Sequence, residues 1–220
     1  MSTLSADSVD DLAAPASESI RTEWVMRVFA LMAYGLAVCN LAAVWWGDRS
    51  RLTLLLLLVS EGFTLVLVLL ARPARHRDAS WAAVLLNLYA ALSYVLFDPR
   101  ATNPLIPEIA GAAFQVCGTL WQFAAKVAIG CSFGLLPALR GVVVRGPYRV
   151  VRHPIYLGYL VGHVGFLLVN FSWRNVIVLS VLYVAQILRI RREEAILSMN
   201  SADYRLYRQR VRWRLIPFVY

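Results

Sequence analysis

"LTLLLLLVSEGFTLVLVLLA", residues 52–71, contains a single ionisable side chain, Glu61, in an otherwise apolar, small or hydroxylated run. As an α-helix such a run rises about 30 Å, the thickness of a bilayer's hydrocarbon core. A soluble domain has little room to bury it, so the stretch is read as a membrane-crossing helix. Five further apolar segments flank it: 24–46, 80–97, 109–133, 154–171 and 175–190. Across all 220 residues the chain is 60% hydrophobic and 16% charged, whereas roughly a quarter of a soluble domain is charged. The fold class expected is an all-α polytopic membrane protein with about six apolar helical segments.

The net charge is +9. Arginine carries nearly all of it, since Lys126 is the only lysine, and the arginines sit in short stretches between apolar runs. That placement argues against nucleic acid and for orientation and headgroup contact. Arg72, Arg75 and Arg77 follow the second segment. Arg140, Arg145, Arg149 and Arg152 precede the fifth, and the C-terminal region adds Arg189, Arg191, Arg192 and five more arginines after residue 204. The alternate connections, 47–51, 98–104 and 172–175, are poorer. The positive-inside rule then predicts cytosolic termini and six crossings. The arginine bias suggests a bacterial inner membrane.

Residues 1–22 are acidic and rich in Ser and Ala, with no apolar centre. They are predicted to be a disordered cytosolic tail rather than a secretory signal. A four-helix membrane region over 23–133 follows. The last two segments are short and closely joined, so they read as a tight hairpin whose second arm continues through "RIRREEAILSM" and breaks near Asn200. Cys39, Cys117 and Cys131 are too widely spaced for a metal site and read as small core residues.

Ionisable and amide groups inside apolar runs (Glu61, Asn87, Gln115, Gln122, Lys126, His163 and Gln186) are functional suspects by default, because burial at membrane depth is costly. Interhelical hydrogen bonding or snorkelling explains them equally simply. A transporter or scaffold reading would use Glu61 and Lys126 as a pathway. No internal repeat supports it.

"GPYRVVRHPIYLG", residues 146–158, concentrates polar and conformationally restricted residues at the foot of the fifth segment. Pro154 suits the first turn of a helix, and Val142–Val144 favours an extended strand-like piece before it. Free backbone N–H groups at a helix start hold anionic or hydroxyl groups, and the tyrosines supply faces with a polar handle. A plain headgroup anchor is the bland alternative. Arg189 and Glu193 lie four apart on the last segment's helix and share a face. A hairpin returns that face to the side of the "RVVRHP" stretch.

"GPYRVVRHPIYLG", followed by "RREEAIL" and "YRLYRQRVRWRLIP", resembles the isoprenylcysteine carboxyl methyltransferase family and its bacterial relatives over about residues 134–217. The resemblance makes 134–220 a methyltransferase-like region with a cytosolic cofactor pocket for S-adenosylmethionine. By position it implies cofactor contacts at Arg140, Gly141, Val142, Val143, Tyr148, His153, Pro154, Ile155, Tyr156 and Glu193. It implies an acceptor contact at Arg189, which makes Arg189 a catalytic candidate. An amine or phenol acceptor would also need a base, for which Glu194 or His153 is the candidate. Tyr204, Tyr207 and Pro217 match its tail. The eukaryotic enzymes commonly carry histidine where Arg140 stands. No metal is implied.

The expected reaction moves a methyl group to a lipophilic small-molecule or prenylated acceptor, most simply a carboxylate. Phospholipid N-methyltransferases are a near variant. NADPH-dependent membrane sterol reductases share the "RHPxYxG" pattern, but usually with Asn and Glu where this chain has Ile155 and Tyr159. Oligomeric state is not legible in the sequence.

Overall fold

The computed structural model describes residues 16–70, 81–101, 103–129 and 143–220. Among them are seven α-helices and no strand: α1 (Ala16–Gly47), α2 (Leu52–Leu70), α3 (Trp81–Leu96), α4 (Glu108–Ile129), α5 (Pro154–Val169), α6 (Trp173–Asn200) and α7 (Ala202–Arg210). A 3-10 turn at Gly146–Arg149 precedes α5. Each expected apolar segment lies within or largely along one of the first six helices. Helix α1 begins at Ala16, inside the stretch expected to be a tail. Val143 and Val144 are irregular rather than strand; the tight turn at Gly146 follows at once, with φ +58°.

By length and composition, α1 over Arg27–Gly47 and α6 over Trp173–Met199 can cross a membrane, while Leu52–Val66 of α2 and α5 are shorter apolar helices. The exposed surface supports immersion. On α6, Trp173, Ile177, Val181, Val184 and Leu188 form one exposed stripe at three- and four-residue intervals. Val116, Leu120, Phe123 and Val127 do the same on α4, with Ile109 two turns before them. Such continuous apolar stripes on the outside of a helical bundle need lipid to cover them.

Inside, Ala37, Leu41, Leu54, Leu57, Tyr94, Phe97, Phe166 and Leu182 form the core that joins α1, α2, α3, α5 and α6. Helices α4 and α5 are held by glycine. A Cβ on Gly118 would stand 2.5 Å from the Gly158 carbonyl oxygen and 2.7 Å from the Gly162 nitrogen. One on Gly165 would stand 2.6 Å from the Gly111 oxygen. Only bare backbone permits this approach, the small-residue packing that membrane helices use in place of a hydrophobic driving force.

The three short connections meet at the end of the bundle away from Pro154. There Arg51 donates from Nη1 to the Pro99 carbonyl at 2.7 Å, and from Nη2 to Ala101 O at 2.9 Å and to Asn170 Oδ1. Glu108 Oε1 accepts from the Thr53 amide and hydroxyl, each at 2.6 Å. Asn175 Nδ2 donates to Asn170 O at 2.8 Å and to Asp98 O at 3.1 Å. These side chains satisfy loop carbonyls that would otherwise be buried without partners. Clamped ends of this kind fix the α5–α6 hairpin, and the hairpin positions the site at the opposite end.

Candidate active site

Pro154 opens α5 with His153 as its N-cap residue. Proline disfavours helical geometry in the residue before it, so the amides of Arg152 and His153 turn elsewhere. They pair with the C-terminal segment: Arg152 N–H donates to Trp213 O and His153 N–H to Arg214 O, each at 2.9 Å. The tail is thereby laid against the foot of α5.

Helix α6 supplies the second anchor. Glu194 is 2% exposed. Its Oε1 accepts from Arg152 Nε at 2.6 Å, its Oε2 from Arg152 Nη2 at 3.3 Å and from Arg214 Nε at 2.8 Å. His153 Nε2 lies 3.3 Å from Oε1. Arg152 Nη1 reaches on to the carbonyls of Val211 and Arg212 at 2.7 and 2.8 Å. Burying this carboxylate is tolerable because the bonds are charge-assisted and saturate its lone pairs. The hydrogen bond to Glu194 in turn pushes the Arg214 guanidinium pKa up. One side chain thus ties α5, α6 and the tail together.

Glu193 precedes it by one residue and so points about 100° away around the helix. It is half-buried, and its charge acts on the phenols of Tyr148, Tyr156 and Tyr204. Burial, then Tyr207 and Glu193, push the Tyr148 pKa up. Burial, opposed by the Arg152 guanidinium, also pushes Tyr207 up. Tyr207 donates its hydroxyl to Tyr148 O at 2.8 Å. The Tyr204 hydroxyl is buried and has no hydrogen-bond partner. His153 and Tyr156 face each other with ring centroids 5.9 Å apart. The Arg189 guanidinium sits 5.8 Å from the Tyr156 ring centroid and donates to Gln186 Oε1 at 3.3 Å.

The structure therefore brings Tyr148, His153, Tyr156, Arg189, Glu193 and Glu194 to one end of the α5–α6 hairpin. Pro154 and Ile155 form the first turn of α5 there. Val143 lies on the irregular approach, while Arg140, Gly141 and Val142 lie outside the described residues. Sequence reasoning missed Trp213 and Arg214. Their place depends on pairing two irregular pieces far apart in the chain, for which no local pattern exists. It also left open which of the paired glutamates is saturated.

Of the polar residues inside the apolar runs, His163 bridges two phenols, with Tyr183 Oη 2.8 Å from Nδ1 and Tyr94 Oη 3.2 Å from Nε2. Lys126 Nζ lies 5.4 and 5.5 Å from the ring centroids of Phe63 and Tyr159. Glu61, Gln115 and Gln122 are buried. Cys39 and Cys117 are free thiols on the exposed surface rather than in the core, and Cys131 lies outside the described residues. Helix surfaces facing lipid are apolar, so a thiol is at no disadvantage there.

No curated protein and no solved structure matches the chain. The model of one family, phospholipid methyltransferase, matches residues 108–202. That stretch runs from the start of α4 into the first residue of α7 and contains the 3-10 turn, the foot of α5, Arg189 and both glutamates. Over these residues the chain is similar to phospholipid methyltransferases, a methyl-transferring class like the isoprenylcysteine enzymes that its motifs resemble.

Proposed function

We propose that this protein is an integral-membrane methyltransferase that uses S-adenosylmethionine to methylate a lipophilic acceptor bearing an anionic group. The observation that carries the reading is the convergence of Glu193, Tyr148, Tyr156 and Tyr204 beside Arg189 at the foot of α5. The residues fit the donor: a half-buried acid suits its ammonium, and the orphaned Tyr204 hydroxyl needs a polar partner. Tyr148, His153, Tyr156 and Glu193 would hold it, with Arg140–Val143 alongside. The donor would supply a methyl group on a sulfonium: an aligned nucleophile bonds to the methyl carbon as the S–CH3 bond breaks, and the neutral thioether leaves.

What the protein adds is alignment and dryness. Arg189, lying over Tyr156, would hold the acceptor's anionic group at the lipid-facing side. Glu194 keeps the tail closed over the foot of α5, and the guanidiniums of Arg152 and Arg214 leave it poorly suited to accept a proton. A carboxylate acceptor needs no general base, since it is already nucleophilic at neutral pH. A second reading has a specific observation behind it. The phospholipid methyltransferase match favours an amine acceptor, with Arg189 holding the lipid phosphate.

In this reading six helices cross the membrane, with both termini and the site on the cytosolic side, as the arginine distribution favours. The test is to incubate purified protein with methyl-labelled S-adenosylmethionine and a native lipid extract, then treat the product with mild alkali. Label released as methanol indicates a carboxyl ester, and alkali-stable label an N-methyl group. No lipid-borne label above that of an Arg189→Ala control would refute the proposal.

A further inference from the structure

Beside the Glu194 anchor, sharing Arg152, Trp213 and Arg214 with it, the tail carries an open basin of about 640 Å³, within the range of about 300–1,000 Å³ that holds drug-sized ligands. Its walls include Arg152, Arg205, Arg208, Arg212 and Arg214, with Trp213 beside them and no acidic side chain. Two of these guanidiniums, Arg152 and Arg214, share the single charge of Glu194. Arg205 and Arg208 are oriented by Ser198, donating to its carbonyl and its hydroxyl at 2.8 Å each. Guanidinium forks set this way match phosphate oxygens.

In the membrane topology proposed above, the basin would lie at interfacial depth. Trp213 and Arg214 accept the backbone bonds of Arg152 and His153, the residues immediately before α5 enters its apolar run. An apolar tip adjoins it. Phe218 is 86% and Val219 75% exposed, and the Phe218 ring packs tilted against Trp213 with centroids 5.3 Å apart. Phe218 has φ +66°, a left-handed conformation that a phenylalanine rarely adopts. The turn that imposes it is closed by Tyr220 N–H donating to Ile216 O at 3.0 Å. Cations in a concave wall beside an exposed aromatic tip are the two halves of an amphiphile's complement.

We propose that this basin is a headgroup site for an anionic phospholipid of the leaflet that α5 enters, its phosphate held by Arg205, Arg208 and Arg212 and its glycerol region against Phe218 and Trp213. The full chain, purified in neutral detergent, is titrated with phosphatidylglycerol, phosphatidylcholine or inorganic phosphate, and bound lipid is counted by native mass spectrometry. Phosphatidylglycerol should bind saturably, about tenfold or more tighter than phosphatidylcholine. Arg208→Gln/Arg212→Gln should weaken it about tenfold or more. Both positions are exposed, and the single Arg212→Gln change gives the same direction if the pair misfolds. Phe218→Ser should weaken lipid but not phosphate. Equal affinity for the two lipids, or full affinity in the arginine variants, would overturn the proposal. So would full displacement by millimolar phosphate, which marks a soluble anion, or by S-adenosylmethionine, which marks the donor's own site.

Discussion

Replacing Glu194 by Gln removes one charge from a place where three cationic or ring donors meet. The Glu194 side chain is 3% exposed, that of Arg152 6% and that of Arg214 30%. Withdrawing one partner of a buried ion pair costs about 3–5 kcal/mol, because the other charge stays buried without compensation. The glutamine oxygen still accepts one bond from Arg152, which places the cost near the lower end, about 3 kcal/mol. Arg214 adds little, since solvent screens a side chain as accessible as this one. The partners of the Glu194 carboxylate are Arg152, His153 and Arg214, so the loss falls on the tail's attachment rather than on the whole fold. The amides of Arg152 and His153, closed onto Trp213 and Arg214, report that opening directly. At about 1.4 kcal/mol per decade, their hydrogen exchange should accelerate about 100-fold. Mass spectrometry of peptides covering 148–153, in detergent micelles, measures it, with α3 peptides as the unchanged reference. Acceleration below about threefold, or equal acceleration in α3, would refute the reasoning.

Gly118→Leu should destabilise the bundle by about 3 kcal/mol or more, seen as a lower unfolding temperature in detergent, because its Cβ would meet α5 backbone that cannot yield. Gly35→Ala, with nothing within 4 Å of the new Cβ, should be neutral or stabilising by up to about 1 kcal/mol in the same assay. Arg51→Ala should cost about 2–3 kcal/mol by orphaning the acceptors at Pro99, Ala101 and Asn170, with Arg51→Lys recovering only part. Tyr207→Phe should cost about 1 kcal/mol and raise trypsin cleavage in the tail without changing bundle unfolding.

The first six helices were legible because each carries a long apolar run; the polar α7 carries none and was not foreseen. The start of α5 followed from Pro154, and α6 ends at Asn200, where the break was expected. Both glutamates were visible as scarce acids, but their division of labour was not. It depends on a rotation of about 100° between neighbours and on where the tail returns. The tail's pairing with Arg152 and His153 leaves no trace in composition or spacing. Arg51 reads in sequence as a topology charge. In the structure it is a clamp on carbonyls, because the loop it serves folds back over it.

The central claim is that the foot of α5 and the Glu193 face of α6 enclose a methyl donor. Equilibrium binding of labelled S-adenosylmethionine to the purified protein tests it most directly. Saturable binding is predicted, falling at least about tenfold in Glu193→Ala, which removes the acid facing the donor's ammonium. Absence of saturable binding, or undiminished affinity in a folded Glu193→Ala protein, would contradict the account.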